Sequence, residues 1–435
     1  MNVAMLAAAA RAAGRQVEAL PAPDRTALLE DLADALTDDR ARAPLLAANR
    51  LDMKAGQAAV DRGELAMPLY ERLELTPPKL ESLADGLRQL ARNPDSVGRR
   101  TVHRELDQGL VLDRIACPLG LLGAVFEARP DAVPQIVGLA LKSGNAILLK
   151  GGREANRSNR ATVTLIHGIM ERRDVDPAAV CLLEDRAEFR ELLDLGRDID
   201  MIIARGSSEF VRWVEATTSA PVLGHAEGLC HLYLHGDADP DKAAAIAVDG
   251  KCTYPAACNA IETLLWEPRA GHALDKAVRA LTEAGVQLRG CEHSRQRHKT
   301  MIAAHDDDWS TEYSGPTLAT RMVDDLDAAL AHIERFGSRH TETIVTEDPH
   351  AAERFLARVD AACVFHNASS RFSDGYRFGL GAEVGISTGK LHARGPVGVE
   401  GLLTYKWQLR GEGQITTDYG AGKRSFLHRD ILDTK

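Results

Sequence analysis

Two hydrophobic periods divide the chain. Up to about residue 95, apolar residues recur three and four apart, as in Leu28, Leu29, Leu32 and Leu36 and again in Leu83, Leu87 and Leu90, which predicts helices. Pro21-Ala-Pro23 and Pro77-Pro78 mark breaks between them. From residue 119 the pattern becomes short, continuous apolar runs alternating with helical stretches. Leu121 to Phe126 is a strand, Glu127-Ala-Arg-Pro130 a loop, and Asp131 to Lys142 a helix with Pro134 in its first turn. Ser143-Gly-Asn145 closes that helix through a left-handed cap. Ala146 to Lys150 is a second strand, and Gly151-Gly152 turns the chain into another helix. A strand at 180–183, a helix near 188–195, a strand at Met201 to Ala204, the loop Arg205-Gly-Ser-Ser208 and a helix to about 217 follow. Uninterrupted apolar strands separated by helices predict a parallel sheet covered on both faces, with right-handed crossovers.

The alternation then restarts. His231 to His235 reads as a strand, Asp239 as an N-cap with Pro240 at the first helical position, and Thr263 to Trp266 as the next strand. Further alternation runs to about 365. Thr101 to Ala116, with a turn at Asp107-Gln-Gly109, and Leu402 to Ile415 fit neither unit. These extended stretches are expected to pair as a protruding sheet whose open edges are covered by a second copy of the chain.

Composition narrows the class. The 435 residues suit two or three domains with a full core, and 45% hydrophobic with 27% charged residues is ordinary for a soluble protein. A formal charge of -10 argues against a bulk nucleic-acid binder but leaves room for a local basic pocket. Seven cysteines without a C-x-x-C pair, zinc-type spacing or H-E-x-x-H predict free thiols in a reducing compartment and no metal site. The first residues lack a basic region before their apolar run, and Arg11 and Arg15 fall where a leader would be cleaved, so an N-terminal surface helix is expected. No apolar run reaches the ~18 residues of a membrane span, and a cytoplasmic location is expected.

Three features carry candidate chemistry. Cys258, in Tyr254-Pro-Ala-Ala-Cys-Asn259, is a thiol on a loop between a helix and a strand; its thiolate would attack an acyl carbon and Asn259 would help hold the oxyanion. A buried structural cysteine is the alternative, and Cys252 competes on the same loop. Cys117, Cys181, Cys230 and Cys363 lie in apolar contexts and read as core. Lys150-Gly-Gly-Arg-Glu154 and Gly206-Ser-Ser208 each follow a strand and open a helix, the arrangement that binds phosphates through free N–H groups, although neither is G-x-G-x-x-G. Gly379-Leu-Gly-Ala-Glu-Val-Gly385 has the wrong spacing for that fingerprint and reads as an active-site loop. Lys390, His392 and Arg394 alternate on an extended segment and form a basic row for an anionic ligand.

Together these segments resemble the gamma-glutamyl phosphate reductases, or glutamate-5-semialdehyde dehydrogenases, of the aldehyde dehydrogenase superfamily. The likeness runs from about 110 to 432. It is carried by Val125-Phe-Glu-Ala-Arg-Pro-Asp131, Lys142-Ser-Gly-Asn145, Lys150-Gly-Gly152, Tyr254 to Leu265, Phe378 to Thr388 and Lys390-Leu-His-Ala-Arg-Gly-Pro396. Val364-Phe-His-Asn-Ala-Ser369 is similar to the reductase half of bifunctional pyrroline-carboxylate synthases, without the kinase half. Glu127-Ala-Arg129 departs from the family, which usually has Ser in the middle.

The resemblance implies an α/β, aldehyde dehydrogenase-like fold. Residues 1–104 and 117–230 would form a Rossmann-type NADP-binding domain, 231–396 an α/β catalytic domain, and 105–116 with 397–420 a small β-arm for a homodimer or higher homo-oligomer. It implies that Cys258 is the nucleophile and that NADPH reduces L-glutamyl 5-phosphate to L-glutamate 5-semialdehyde with release of phosphate, the second step of L-proline synthesis. Lys150, Gly151, Gly152, Arg153, Gly206, Ser207 and Ser208 would hold the cofactor. Arg153 stands where NAD users place Glu and would favour a 2′-phosphate. Arg129, Lys390, His392 and Arg394 would meet the substrate's phosphate or carboxylate, and a glutamate kinase is a candidate partner. The rival functions are a non-phosphorylating aldehyde dehydrogenase, with Glu227 or Glu383 as its base, and a cysteine amidase or acyltransferase drawing on a distant base such as His366.

Overall fold

A computed structural model describes residues 2–224 and 227–432. The N-terminal segment is helical throughout, as Val3–Ala19, Ala22–Thr37, Asp39–Asp61, Met67–Leu73 and Pro77–Arg92. Proline sets two of these starts rather than merely breaking the pattern. Pro23 lies in the first turn of Ala22–Thr37, and Pro77 opens the last helix behind Thr76, whose hydroxyl accepts from the Lys79 amide at 3.3 Å.

These helices lie beside a five-stranded parallel sheet in the order Val180–Leu183, Ala146–Gly151, Leu121–Phe126, Met201–Arg205, Val222–Leu223, with Ala22–Thr37, Asp39–Asp61 and Pro77–Arg92 packed outside it on helices Ala132–Lys142 and Asn156–Arg172. Leu121, Leu122, Ile147, Leu148, Leu149, Ile202 and Ile203 are fully buried, which is why these strands read as unbroken apolar runs. Helix Val3–Ala19 sits directly on the sheet: a Cβ on Gly14 would come within 2.9 Å of the Ala146 Cβ. Lys142, itself buried, ties the layers together by donating to Thr26 Oγ1 at 3.2 Å and to Ala91 O at 3.0 Å, the latter a carbonyl that the end of helix Pro77–Arg92 leaves open.

A second, seven-stranded parallel sheet follows, in the order Ile302–Ala303, Gln287–Gly290, Thr317–Met322, Ile261–Trp266, Cys230–Leu234, Thr341–Val345, Cys363–His366. Asp239 caps helix Pro240–Cys252 by accepting from the amides of Asp241 and Lys242, both at 2.9 Å.

The protruding sheet is antiparallel. Arg100–Asp107 and Leu110–Pro118 form a hairpin whose turn takes Gly109 to φ +72, and Leu403–Arg410 pairs along Leu110–Pro118 from Leu403↔Pro118 to Arg410↔Val111. Its far edge is completed by Arg429–Asp430. The arm therefore begins before residue 105 and draws on residues after 420, both outside the expected bounds. Tyr405, Trp407 and Leu409 are exposed on the Leu403–Arg410 edge. Among the described residues no helix is long and apolar enough to cross a membrane.

Candidate active site

The two parallel sheets face one another across a cavity of about 760 Å³, the first sheet through the C-terminal ends of its strands at Glu127 and Arg205, the second through the segments that lead into its strands at Gly228, Cys258 and Glu312. Cys258 stands on its wall, on a tight turn closed by Ala257 N to Tyr254 O (3.1 Å) and Ala260 N to Ala257 O (2.9 Å). The turn is clamped from three sides. Cys230 donates its thiol to the Cys258 carbonyl at 3.3 Å. Ser370 Oγ donates to Asn259 O at 2.6 Å, and Asn259 Nδ2 donates to Ser373 O at 2.9 Å. Gly228 lies against the Cys258 backbone, and its amide donates to Glu312 Oε2 at 3.1 Å. Asn259 is thus on the cavity wall with an amide proton committed to Ser373, so its side chain serves first to fix the turn.

Charge around the sulfur is mixed. Burial pushes the Cys258 thiol up to about 12; the carboxylates of Glu383 and Glu312 push the same way, while the guanidinium groups of Arg205 and Arg129 oppose them. Burial also raises Glu383, which accepts from the Gly375 amide at 2.8 Å. Arg72, Arg129, Arg205 and Arg371 all line the cavity, and burial lowers the pKa of Arg129 and of Arg371. None of these four guanidinium groups forms an ion pair among the described residues, whereas Arg173, Arg297 and Arg394 outside the cavity each grip an Asp.

Gly206, Ser207 and Ser208, expected to cradle a phosphate, line the cavity at the N-terminus of helix Ser208–Thr217. Ser207 caps that helix through the Phe210 amide (3.3 Å), and the Ser207 amide receives the Glu127 carboxylate at 3.1 Å. An anionic oxygen already occupies the position a phosphate oxygen would take. Lys150, Gly151, Gly152 and Arg153 lie outside this lining, further along the same sheet edge. Lys150 Nζ donates to the Gly151 carbonyl, and the exposed Arg153 begins a short 3₁₀ turn, Arg153–Ala155, before the helix. Glu154 reaches back to accept from the Ala128 amide at 2.8 Å, holding Ala128 at φ 31, the position where the family usually has Ser.

The basic row is the main correction. Lys390 to His392 is a sequence of bends rather than an extended strand, so alternate side chains do not line up. Asp360 neutralises the two ends of the row, accepting from Lys390 at 2.9 Å and Arg394 at 2.8 Å, and His392 is exposed. None of the three lines the cavity; Arg129 does. Glu227 also lies away, paired with Arg212 at 3.1 Å, whereas Glu383 is in the lining. Cys252 is half-buried outside it, and His366 spends Nε2 on the Thr346 carbonyl at 2.9 Å.

Sequence reading passed over Arg205, Arg371 and Glu312. Arg205 was legible: the strand runs one residue beyond Ala204, and the C-terminal edge of a parallel sheet is where ligands gather. Arg371 and Glu312 lie in irregular segments that only tertiary packing brings to Cys258.

Two sheets meeting over a cysteine with a helix N-terminus opposite define an aldehyde dehydrogenase-like fold. An acetylating aldehyde dehydrogenase from Geobacillus thermoglucosidasius superposes with a TM-score of 0.66 at 17% identity over 95% of this chain and 97% of that one. A comparison with known family profiles finds no match. Among individual proteins, a gamma-glutamyl phosphate reductase of Synechococcus sp. (strain JA-3-3Ab) is 52% identical over 428 residues, 98% of this chain and 94% of its own. The crystal structure of a gamma-glutamyl phosphate reductase from Thermotoga maritima superposes with a TM-score of 0.90 at 33% identity, covering 95% of this chain and all (100%) of that one. The chain belongs to the gamma-glutamyl phosphate reductase family and is an oxidoreductase of the glutamate-5-semialdehyde dehydrogenase type.

Proposed function

We infer that this protein reduces L-glutamyl 5-phosphate to L-glutamate 5-semialdehyde, releasing phosphate, with Cys258 as nucleophile and NADPH as reductant. The observation that carries it is Cys258 on the wall of a cavity that also holds a helix N-terminus and arginines without an ion pair among the described residues. A dinucleotide fits the sheet edge. Glu127 already satisfies the Ser207 amide as a phosphate oxygen would, and a Cβ on Gly206 would come within 2.7 Å of that carboxylate, leaving no room for a larger residue. Lys150 and Arg153 extend the same edge beyond the cavity. When bound, NADPH supplies a hydride to the acyl carbon.

The chain's own residues do the rest. The Cys258 thiol gives up its proton, and its sulfur adds to the acyl phosphate carbon. Phosphate, a good leaving group, then departs with the electrons of the broken C–O bond, leaving a thioester. Arg129 and Arg205 face the sulfur from the first sheet; their charge favours the thiolate and neutralises the departing phosphate. After reduction the C–S bond breaks, the aldehyde leaves and the thiolate is restored. The Cys258 backbone N–H is the nearest donor for the oxyanion. The seven cysteines are free thiols, which supports a reducing, cytoplasmic setting. The exposed Tyr405, Trp407 and Leu409 edge supports self-association through the arm.

The test runs the reaction backwards. Glutamate semialdehyde, NADP and inorganic phosphate are mixed with the protein, and absorbance of the reduced nicotinamide is followed. Phosphate-dependent reduction is expected; reduction at an equal rate without phosphate would assign a non-phosphorylating dehydrogenase instead.

A further inference from the structure

We propose that Arg371 binds the α-carboxylate of the glutamyl chain and so selects an amino-acid acyl phosphate over simpler ones. The assignment rests on glutamyl phosphate being the substrate and identifies which wall of the cavity reads its far end.

Arg371 lines the cavity, yet among the described residues its guanidinium has no ion pair and its Nε is buried without a hydrogen-bond partner. Burial costs this cation hydration and lowers its pKa, and the acidic groups around it offset that only through space, without an ion pair among the described residues. The nearby acid Asp374 acts on Arg371 only at a distance and turns its Oδ1 to the amides of Tyr376 (3.0 Å) and Arg377 (3.1 Å). The same segment is registered to the nucleophile, because Ser370 and Ser373, on either side of Arg371, are the residues that hold Asn259. The backbone that carries Arg371 is thereby fixed relative to the Cys258 turn, as the base of a residue measuring substrate length must be.

Two anion sites are needed, since glutamyl phosphate carries a phosphate at the reacting carbon and a carboxylate four bonds away, about 5 Å along a staggered chain. Arg129 and Arg205 come from the first sheet, beside the helix N-terminus, and their charge acts on the sulfur; they suit the group that leaves from the reacting carbon. Arg371 comes from the other lobe. A planar fork of donors with no competing partner suits a carboxylate bound through two parallel N–H···O bonds.

The experiment compares three aldehydes in the phosphate-dependent oxidative direction: glutamate semialdehyde, 5-oxopentanoate, which lacks the ammonium, and 4-aminobutanal, which lacks the carboxylate. Phosphate-dependent turnover of glutamate semialdehyde by the wild-type protein first establishes the underlying activity, and its absence would sink that reading rather than this one. Arg371→Gln is expected to lower kcat/KM about 100-fold for the two carboxylates, to leave 4-aminobutanal within about 3-fold, and to leave the KM for phosphate unchanged. Arg371→Lys keeps the charge but not the fork, and is expected to lose about 10-fold on the same two substrates only. An equal loss on all three aldehydes in either variant, as a structural role would give, or a raised KM for phosphate, overturns the assignment.

Discussion

Gly228 presses on the backbone of Cys258 so closely that a Cβ at residue 228 would stand 2.2 Å from the Cys258 carbonyl oxygen and 2.5 Å from its Cα. Both contacts are with main chain, so no side-chain rotation relieves them. Gly228→Ala must push the nucleophile's turn out of place. Overpacking of this kind costs about 1–3 kcal/mol, and a displacement of ~1 Å at a nucleophile costs about 100-fold in rate. The variant is expected to lose at least that much kcat/KM with a lowered Tm. Gly420→Ala, where a Cβ meets nothing within 4 Å, is the control and is expected to change neither. Wild-type kinetics in Gly228→Ala would show that the turn does not need its present position.

The sulfur's environment makes a pH prediction. With the thiol pushed up to about 12, thiolate is scarce at neutral pH, and its amount rises about tenfold per pH unit. Alkylation of Cys258 by iodoacetamide in the cofactor-free protein should therefore climb steadily from pH 6 to 9 without a plateau. Glu383 is the first charge opposing ionisation, so Glu383→Gln should lower the thiol's pKa and speed alkylation several-fold at pH 8. Arg205→Ala should slow it. A plateau below pH 8 in the wild type would mean that the sulfur is already ionised. Cys258→Ser should show no alkylation at this position and lose roughly three or more orders of magnitude in kcat, because an alkoxide is both harder to form and a poorer leaving group.

Arginine placement separates two accounts of the anion site. Lys390 and Arg394 are bound to Asp360, and these two cations hold its carboxyl down to about 2. Lys390→Ala should keep kcat/KM within about 3-fold of wild type, since the lost charge faces Asp360 rather than the cavity. Arg205→Ala should lose about 100-fold and raise the KM for phosphate in the oxidative direction. The reverse ranking, read from initial rates at varied phosphate, would return the substrate to the Lys390 segment.

Most of the architecture was legible because it follows from local periodicity. Buried parallel strands read as Leu-Leu-Gly-Ala-Val-Phe or Ala-Ile-Leu-Leu, and no tertiary knowledge is needed to recognise them. That Cys258 and Gly206 to Ser208 lie at the ends of strands was legible too, since a loop between a helix and a strand is read from the same local periodicity. The basic row failed for a definite reason. Alternation points side chains one way only if the backbone is extended, and Gly389 with the bends that follow it breaks that condition at Lys390. Arg371 had no local signature. It follows a 3₁₀ turn start at Ser370, and hydrogen bonds between Asn259 and the serines at 370 and 373 bring its segment to the nucleophile.

The proposed preference for NADPH turns on a residue outside the cavity. Arg153 is exposed at the start of the turn Arg153–Ala155, directly after the strand that ends in Lys150 and Gly151, and no ion pair holds it among the described residues. A guanidinium there can take a 2′-phosphate through paired hydrogen bonds, whereas a carboxylate at the same place would repel it and accept from ribose hydroxyls instead. Arg153→Glu should therefore lower kcat/KM for NADPH by about 100-fold and leave or improve that for NADH, inverting the ratio. The residue lies away from Cys258, so kcat at saturating NADH should stay near the wild-type value. The measurement is kcat/KM for both coenzymes in both proteins. An unchanged NADPH-to-NADH ratio would mean that Arg153 does not reach the 2′ position and that the discrimination comes from Lys150 or the helix N-terminus.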